Sequence, residues 1–144
     1  MYIENTLCLS GWFKGRNVDI SNDKRCLAKD KYQLTSIVEC FLHEYSGLTI
    51  KFTTPSNDLD FFHFNVCKAV QDLDSRWVYE DYIKRISTLK ICPIGQAYSN
   101  HLTLFMDELG YLYGGYDDYF CLISNNENEV IEALINKKMI TEIP

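Results

Sequence analysis

Leu34, Ile37, Val38, Phe41, Leu42 and Tyr45 recur in steps of three and one along the chain. That spacing places all six on one side of a 3.6-residue turn, so an amphipathic helix with one buried stripe is expected there. Gly47 follows as its stop, because a residue without Cβ enters the left-handed conformation at no steric cost. From Leu48 to Thr53 apolar and polar residues alternate, the period of a half-buried strand. Pro55, Ser56 and Asn57 read as a turn, and Asp60 to Val66 as a second strand. Ala69 to Ile86 reads as a helix, with Val70, Leu73, Trp77, Tyr82 and Ile86 on one face and Asp72 and Asp74 at its positive dipole end. Four strands are then expected, over Leu89 to Ala97, Leu102 to Met106, Tyr111 to Tyr116 and Tyr119 to Ile123. Asp107 to Gly110 joins two of them as a hairpin, and the Gly114-Gly115 doublet reads as a bulge or bend. A last helix carries Val130, Ile131, Leu134 and Ile135 as its stripe. Ser124 and Glu127 form a capping box before it, and Lys137 and Lys138 face its negative end.

Helices first, then a run of strands, then a closing helix make an α+β fold. Its centre is a mostly antiparallel β-sheet, a meander, flanked by helices. Repeats, low-complexity tracts and linker-like stretches are missing, so residues 1–144 are expected to be a single domain. Hydrophobic residues make up 47% of the chain, enough for one core without a disulfide or metal.

The cysteines Cys8, Cys26, Cys40, Cys67, Cys92 and Cys121 are evenly spread with no Cys-x-x-Cys pair. Cys40 and Cys121 sit among apolar neighbours and read as small hydrophobes. Residues 1–14 show no basic region followed by an apolar one, so reduced thiols in a cytoplasmic protein are expected. No apolar run approaches the length of a membrane span. The formal charge of -6 disfavours nucleic acid as a direct partner. Seven acids and no Lys or Arg lie between His101 and Glu132, a field that suits a basic partner.

Catalytic constellations are weak. His43 reads as a surface residue, His63 as facing away from Phe62 and Phe64 on a strand, and His101 as the start of a strand. A nucleophilic Cys67 or Cys92 paired with a histidine is the enzyme alternative. No zinc spacing, phosphate-binding loop or cofactor motif is present, and Asp117-Asp118 reads as an exposed corner rather than a cation site. No catalytic residue, metal or cofactor is therefore expected. The densest contact chemistry is the interleaving of Tyr111, Tyr113, Tyr116 and Tyr119 with Asp117 and Asp118, with Asp107 and Glu108 at the rim. Tyrosine gives stiff contact area with a polar tip, and adjacent acids orient a basic partner, so these eight residues are the candidate partner-binding surface.

Several segments in order resemble a known family. Gly11-Trp12-Phe13-Lys14-Gly15-Arg16-Asn17-Val18 is similar to the early Gly-Trp and Arg element of the SUKH superfamily of bacterial immunity proteins, third subgroup. Phe41-Leu42-His43-Glu44-Tyr45-Ser46-Gly47-Leu48 resembles the signature ending that family's main helix, with Ser46 in place of its first Gly. Leu89 to Gly95 resembles its Pro-(aliphatic)-Gly strand entry, and Leu102 to Asp107 with Gly110 to Tyr113 its strand–Asp–x–x–Gly–strand hairpin. The resemblance implies an α+β antitoxin without enzymatic activity. It would bind and neutralise a cognate polymorphic toxin, often a nuclease, with a basic C-terminal toxin domain as partner. A regulatory or scaffold module of the same superfamily is the alternative. The motif residues then read as fold determinants, with Trp12 a core anchor, Gly47 and Gly95 backbone turns and Asp107 a hairpin residue.

Overall fold

The computed structural model describes residues 2–86, 90–137 and 140–144. Helices α1 (Tyr2–Leu9), α2 (Ser21–Lys29) and α3 (Ser36–Tyr45) open the chain. Strands β1 (Thr49–Thr53) and β2 (Leu59–His63) follow, then helices α4 (Val66–Gln71) and α5 (Ser75–Trp77). Next come β3 (Ile91–Ala97), β4 (Leu102–Asp107), β5 (Leu112–Tyr116), β6 (Tyr119–Ser124), helix α6 (Val130–Asn136) and a short β7 (Thr141–Glu142). All seven strands form one antiparallel sheet in sequence order, the expected meander with helices around it.

Register fixes what each face of the sheet carries, since successive side chains alternate sides. Thr49, His63, Gln96, Thr103, Gly115 and Phe120 form one continuous cross-strand row on the first face. Ile50, Phe62, Ala97 and Leu102 form a row on the second. Every residue of β3 is buried, so both faces are covered there, whereas β1 buries only Ile50 and Phe52. Helix α4 packs on β3, α1 on β1 and α6 on β6. Phe41, Phe52, Phe62 and Phe64 build one aromatic cluster, and Tyr82, Phe105, Tyr113 and Phe120 build another. In the second, Tyr82 stacks on Phe120 at 4.6 Å between centroids, and Phe120 on Tyr113 at 5.3 Å.

The glycine doublet serves this packing and is not a bulge. A Cβ at Gly115 would lie 2.7 Å from the Tyr82 ring, and one at Gly114 would strike Leu102 on the other face. The irregularity in this pairing falls instead between Leu112 and Tyr113. Gly95 is likewise no turn. It sits at the β3 irregularity, where a Cβ would collide with the His63 carbonyl. Gly47, at φ +85°, is the left-handed stop expected of it.

The two N-terminal motifs meet in space. The Arg16 guanidinium donates to the carbonyls of Glu44 (2.5 Å) and Ser46 (2.8 Å), capping the carbonyl end of α3. Trp12 Nε1 donates to Glu44 Oε2 at 2.9 Å, and its half-buried ring packs against the core. Asp23 reaches the same corner by accepting from the Ser46 hydroxyl.

Three local expectations are corrected. The helix read over Ala69–Ile86 is broken. Asn65 accepts from Lys68 N and starts α4 ahead of the expected helix, and Asp74 accepts from Arg76 N to start α5, so this second side-chain cap interrupts the apolar stripe. The chain then turns through a wide helical turn, Val78–Tyr82, and a tight one, Ile83–Arg85. The second strand accordingly stops at His63. The capping box of the last helix does not form. Ser124 bonds Asn126 on both its N–H and carbonyl, Asn126 caps the short turn Glu127–Glu129, and α6 starts only at Val130. Leu89, the expected start of the third strand, and Lys138, expected at the negative end of the last helix, lie outside the described residues.

The cysteines also depart from expectation. Cys26 of α2 and Cys67 of α4 form a disulfide, their Cα atoms 5.4 Å apart, because these helices pack side by side. Cys40 is exposed, while Cys92 and Cys121 are buried.

Two tests follow from this packing. Gly115→Ala should cost about 1–3 kcal/mol in urea unfolding, since the added methyl overpacks Tyr82; a loss under about 0.5 kcal/mol would mean that Tyr82 yields freely. Denatured without reductant, the chain should present four reactive thiols, rising to six on reduction. Reduction of the native chain should lower its stability by about 2–4 kcal/mol. Six thiols at the outset would refute the disulfide.

Candidate partner-binding surface

Tyr116 and Tyr119 pair across the β5–β6 hairpin, leaving Asp117 and Asp118 at its tip. Asp117 takes φ +49°, a left-handed conformation that aspartate tolerates better than most residues and that suits a two-residue hairpin. Its carbonyl accepts two hydrogen bonds, from Trp77 Nε1 at 2.7 Å and from the Tyr82 hydroxyl at 2.6 Å. Burial pushes the Tyr82 hydroxyl up to about 12, so it remains a donor at neutral pH. The hairpin tip is thereby tied to the α5 segment across the sheet.

Between these elements lies a cleft of about 460 Å³. It is lined by Leu73, Asp74 and Trp77 of the α5 segment, by Tyr82, and by His101, Thr103, Gly115, Tyr116, Asp117 and Asp118 of the sheet and its turns. A smaller apolar hollow of about 260 Å³ adjoins it at Tyr116 and His101, lined further by Tyr98, Leu102, Tyr119, Cys121 and Ile140. The β3–β4 turn beside both hollows holds Tyr98, Ser99 and Asn100 at φ +53°, +59° and +67° in succession.

The eight sequence-derived candidates do not share one surface. Tyr116, Asp117, Asp118 and Tyr119 lie exposed at this end of β5. Asp107, Glu108, Tyr111 and Tyr113 belong to the opposite end. Asp107, 2% exposed, accepts from the N–H groups of Leu109 and Tyr111 (each 2.9 Å) and from the Tyr113 hydroxyl (3.0 Å). It organises the β4–β5 hairpin from inside. Tyr113 is buried on Phe120, and burial, then Asp107, raises its hydroxyl pKa. Glu108 is exposed, with Lys90 at 3.8 Å, and Tyr111 is half-buried. Leu73, Asp74, Trp77 and His101 were missed as site residues. Helical periodicity placed Leu73 and Trp77 on a buried face, and they reach the cleft because Asp74 restarts the helix.

The residues considered for nucleophilic chemistry sit elsewhere. Cys67 is in the disulfide, and Cys92 is buried with its thiol pushed up to about 12 by desolvation, far from a poised thiolate. His63 is buried and bonded across the sheet. Its Nδ1 accepts from Asn65 N–H at 3.0 Å, and its Nε2 meets Gln96 Oε1 at 2.9 Å, so the ring is neutral with the proton on Nε2. Gln96 in turn donates to Asp72 Oδ2 at 3.1 Å, anchoring the start of the cleft wall to the sheet. Among the described residues no His, Cys, Asp and Glu side chains gather as a metal site, and no helix is long and apolar enough to cross a membrane.

A family model described as SUKH-3 immunity protein matches residues 2–137, from α1 through α6. The chain belongs to the SUKH-3 immunity protein family. No curated protein and no solved structure matches it significantly. The family is one of immunity proteins, and protein binding is the activity it implies. The segments 11–18 and 41–48 of this chain are the two halves of the Arg16 cap, and the β4–β5 hairpin turns on the buried Asp107.

Burial holds the His63 pKa below its ordinary value of 6.5, although the Gln96 hydrogen bond pulls the other way. The unfolded chain therefore takes up this proton more readily than the folded one. Stability from His63 should be fully present above pH 6.5 and fall as pH drops through the lower folded value. His63→Gln should flatten that part of a stability-versus-pH curve; an equally steep variant would place the titration at another group.

Proposed function

We propose that this chain is an immunity protein that binds a cognate polymorphic toxin in a stoichiometric complex and neutralises it in the cytoplasm. It acts as one domain over residues 1–144, as a binding protein without catalysis. Family membership motivates the role. The surface is argued from one observation: exposed Tyr116 and Tyr119 flank two carboxylates at a hairpin tip that is rigidly tied to α5. Rigid aromatic area lowers the entropy cost of docking, and the acids favour a basic toxin domain. A nuclease fits that description, since its substrate surface must attract phosphates and is the surface an inhibitor needs to cover.

Tagging the chain in its native cell and identifying what co-purifies tests the role. An equimolar protein with a toxic, basic C-terminal domain is the expected result; recovery of housekeeping proteins alone would favour a regulatory module instead. Against the recovered partner, Asp117→Lys with Asp118→Lys should slow association about tenfold at low salt and reverse or weaken its salt dependence. Unchanged association would move the interface off this hairpin.

A further inference from the structure

We propose that the cleft between α5 and the β5–β6 hairpin receives a single long basic side chain of the partner, an arginine in preference to a lysine. This deepens the immunity reading and rests on it for the identity of the partner. Asp74, Asp117 and Asp118 line the cleft, and no Lys or Arg does. Among the described residues none of these three carboxylates is in an ion pair. Three carboxylates without a counter-ion around one concavity focus a negative potential into it.

The exposed indole of Trp77 selects the shape of the cation. Trp77 remains 39% exposed although its Nε1 is bonded to the Asp117 carbonyl and its ring stands edge-on to Tyr82, 6.4 Å away at 82°. The indole is therefore held in one orientation before anything binds. Tyr116, 54% exposed, also borders the cleft. A planar guanidinium stacks on such rings and bonds carboxylates through its fork of donors, which an ammonium does less well. Leu73 and the rings cover the alkyl stem. About 460 Å³ accommodates one such side chain with its solvation water.

The chain has two tryptophans, so the indole N–H region of a nitrogen-labelled sample holds two signals, assignable with Trp12→Phe. Titration with Nα-acetyl-arginine methylamide should move the Trp77 signal saturably, with a dissociation constant on the order of 10 mM for one isolated side chain. The Trp12 signal should stay still, and Nα-acetyl-norleucine methylamide should move neither. Asp74→Asn with Asp118→Asn should weaken the arginine response at least fivefold without changing the melting temperature. No saturable shift, or an equal one with norleucine, overturns the proposal. Against the co-purified partner, Trp77→Leu with Asp118→Asn should lower affinity ten- to a hundredfold. Unchanged affinity overturns the cleft as the docking point while the immunity reading stands. If no toxin-like partner is recovered the functional reading falls, and the cation site stands or falls on the titration.

Discussion

The Tyr82 ring lies flat on Phe120 and directly over Gly115, a contact that any Cβ at that position would forbid. Much of the first sheet face is organised by it. Seating Tyr82 there draws the segment 75–85 across β4, β5 and β6, which covers their apolar residues and brings Trp77 to the hairpin. The Tyr82 hydroxyl and the Trp77 indole then converge on one carbonyl, that of Asp117. A backbone oxygen accepting two donors is fully satisfied, and the tip of an otherwise free hairpin becomes part of the scaffold. The cleft is what remains between two elements so joined.

A comparable tie works at the other side of the molecule. Helix α3 ends with carbonyls that no later turn can satisfy, and Arg16 supplies two donors from a distant loop. Desolvation lowers the Arg16 pKa while Glu44 opposes that shift, so the charge is kept where the helix dipole is negative. This gives the short segments 11–18 and 41–48 a physical meaning. They are separated in sequence but are two surfaces of one cap, which is why neither is informative alone.

Local periodicity was a good guide where packing and propensity agree. The α3 stripe, its glycine stop, the β1 alternation and the Asp107 hairpin all formed as their patterns suggest, because each depends on neighbours a few residues away. The failures share a different cause. Asp74 looked like a dipole-compensating residue inside a helix and is instead a cap that breaks it. Gly114 and Gly115 looked like punctuation, yet their need arises from Leu102 and Tyr82, which only the tertiary fold brings near. The Cys26–Cys67 bridge spans 41 residues and required knowing that α2 and α4 are adjacent. For the same reason half of the candidate surface was readable, the hairpin tip, and the half contributed by Leu73, Asp74, Trp77 and His101 was not. Alternation alone could not separate Tyr113, turned inward onto Phe120, from Tyr119, which stays in solvent.

The meander has a consequence for how the protein comes into being. Each strand pairs with the one made just before it, and α4, α5 and α6 are inserted between partners without altering that order. Nothing in the sheet has to wait for a distant strand, so pairing can keep step with the chain as it leaves the ribosome. The hairpin tip emerges once β1 to β5 of its supporting sheet are made, and β6, α6 and β7 follow it. An architecture completed nearly at the pace of its own synthesis leaves the chain little time as a partly folded species with open strand edges.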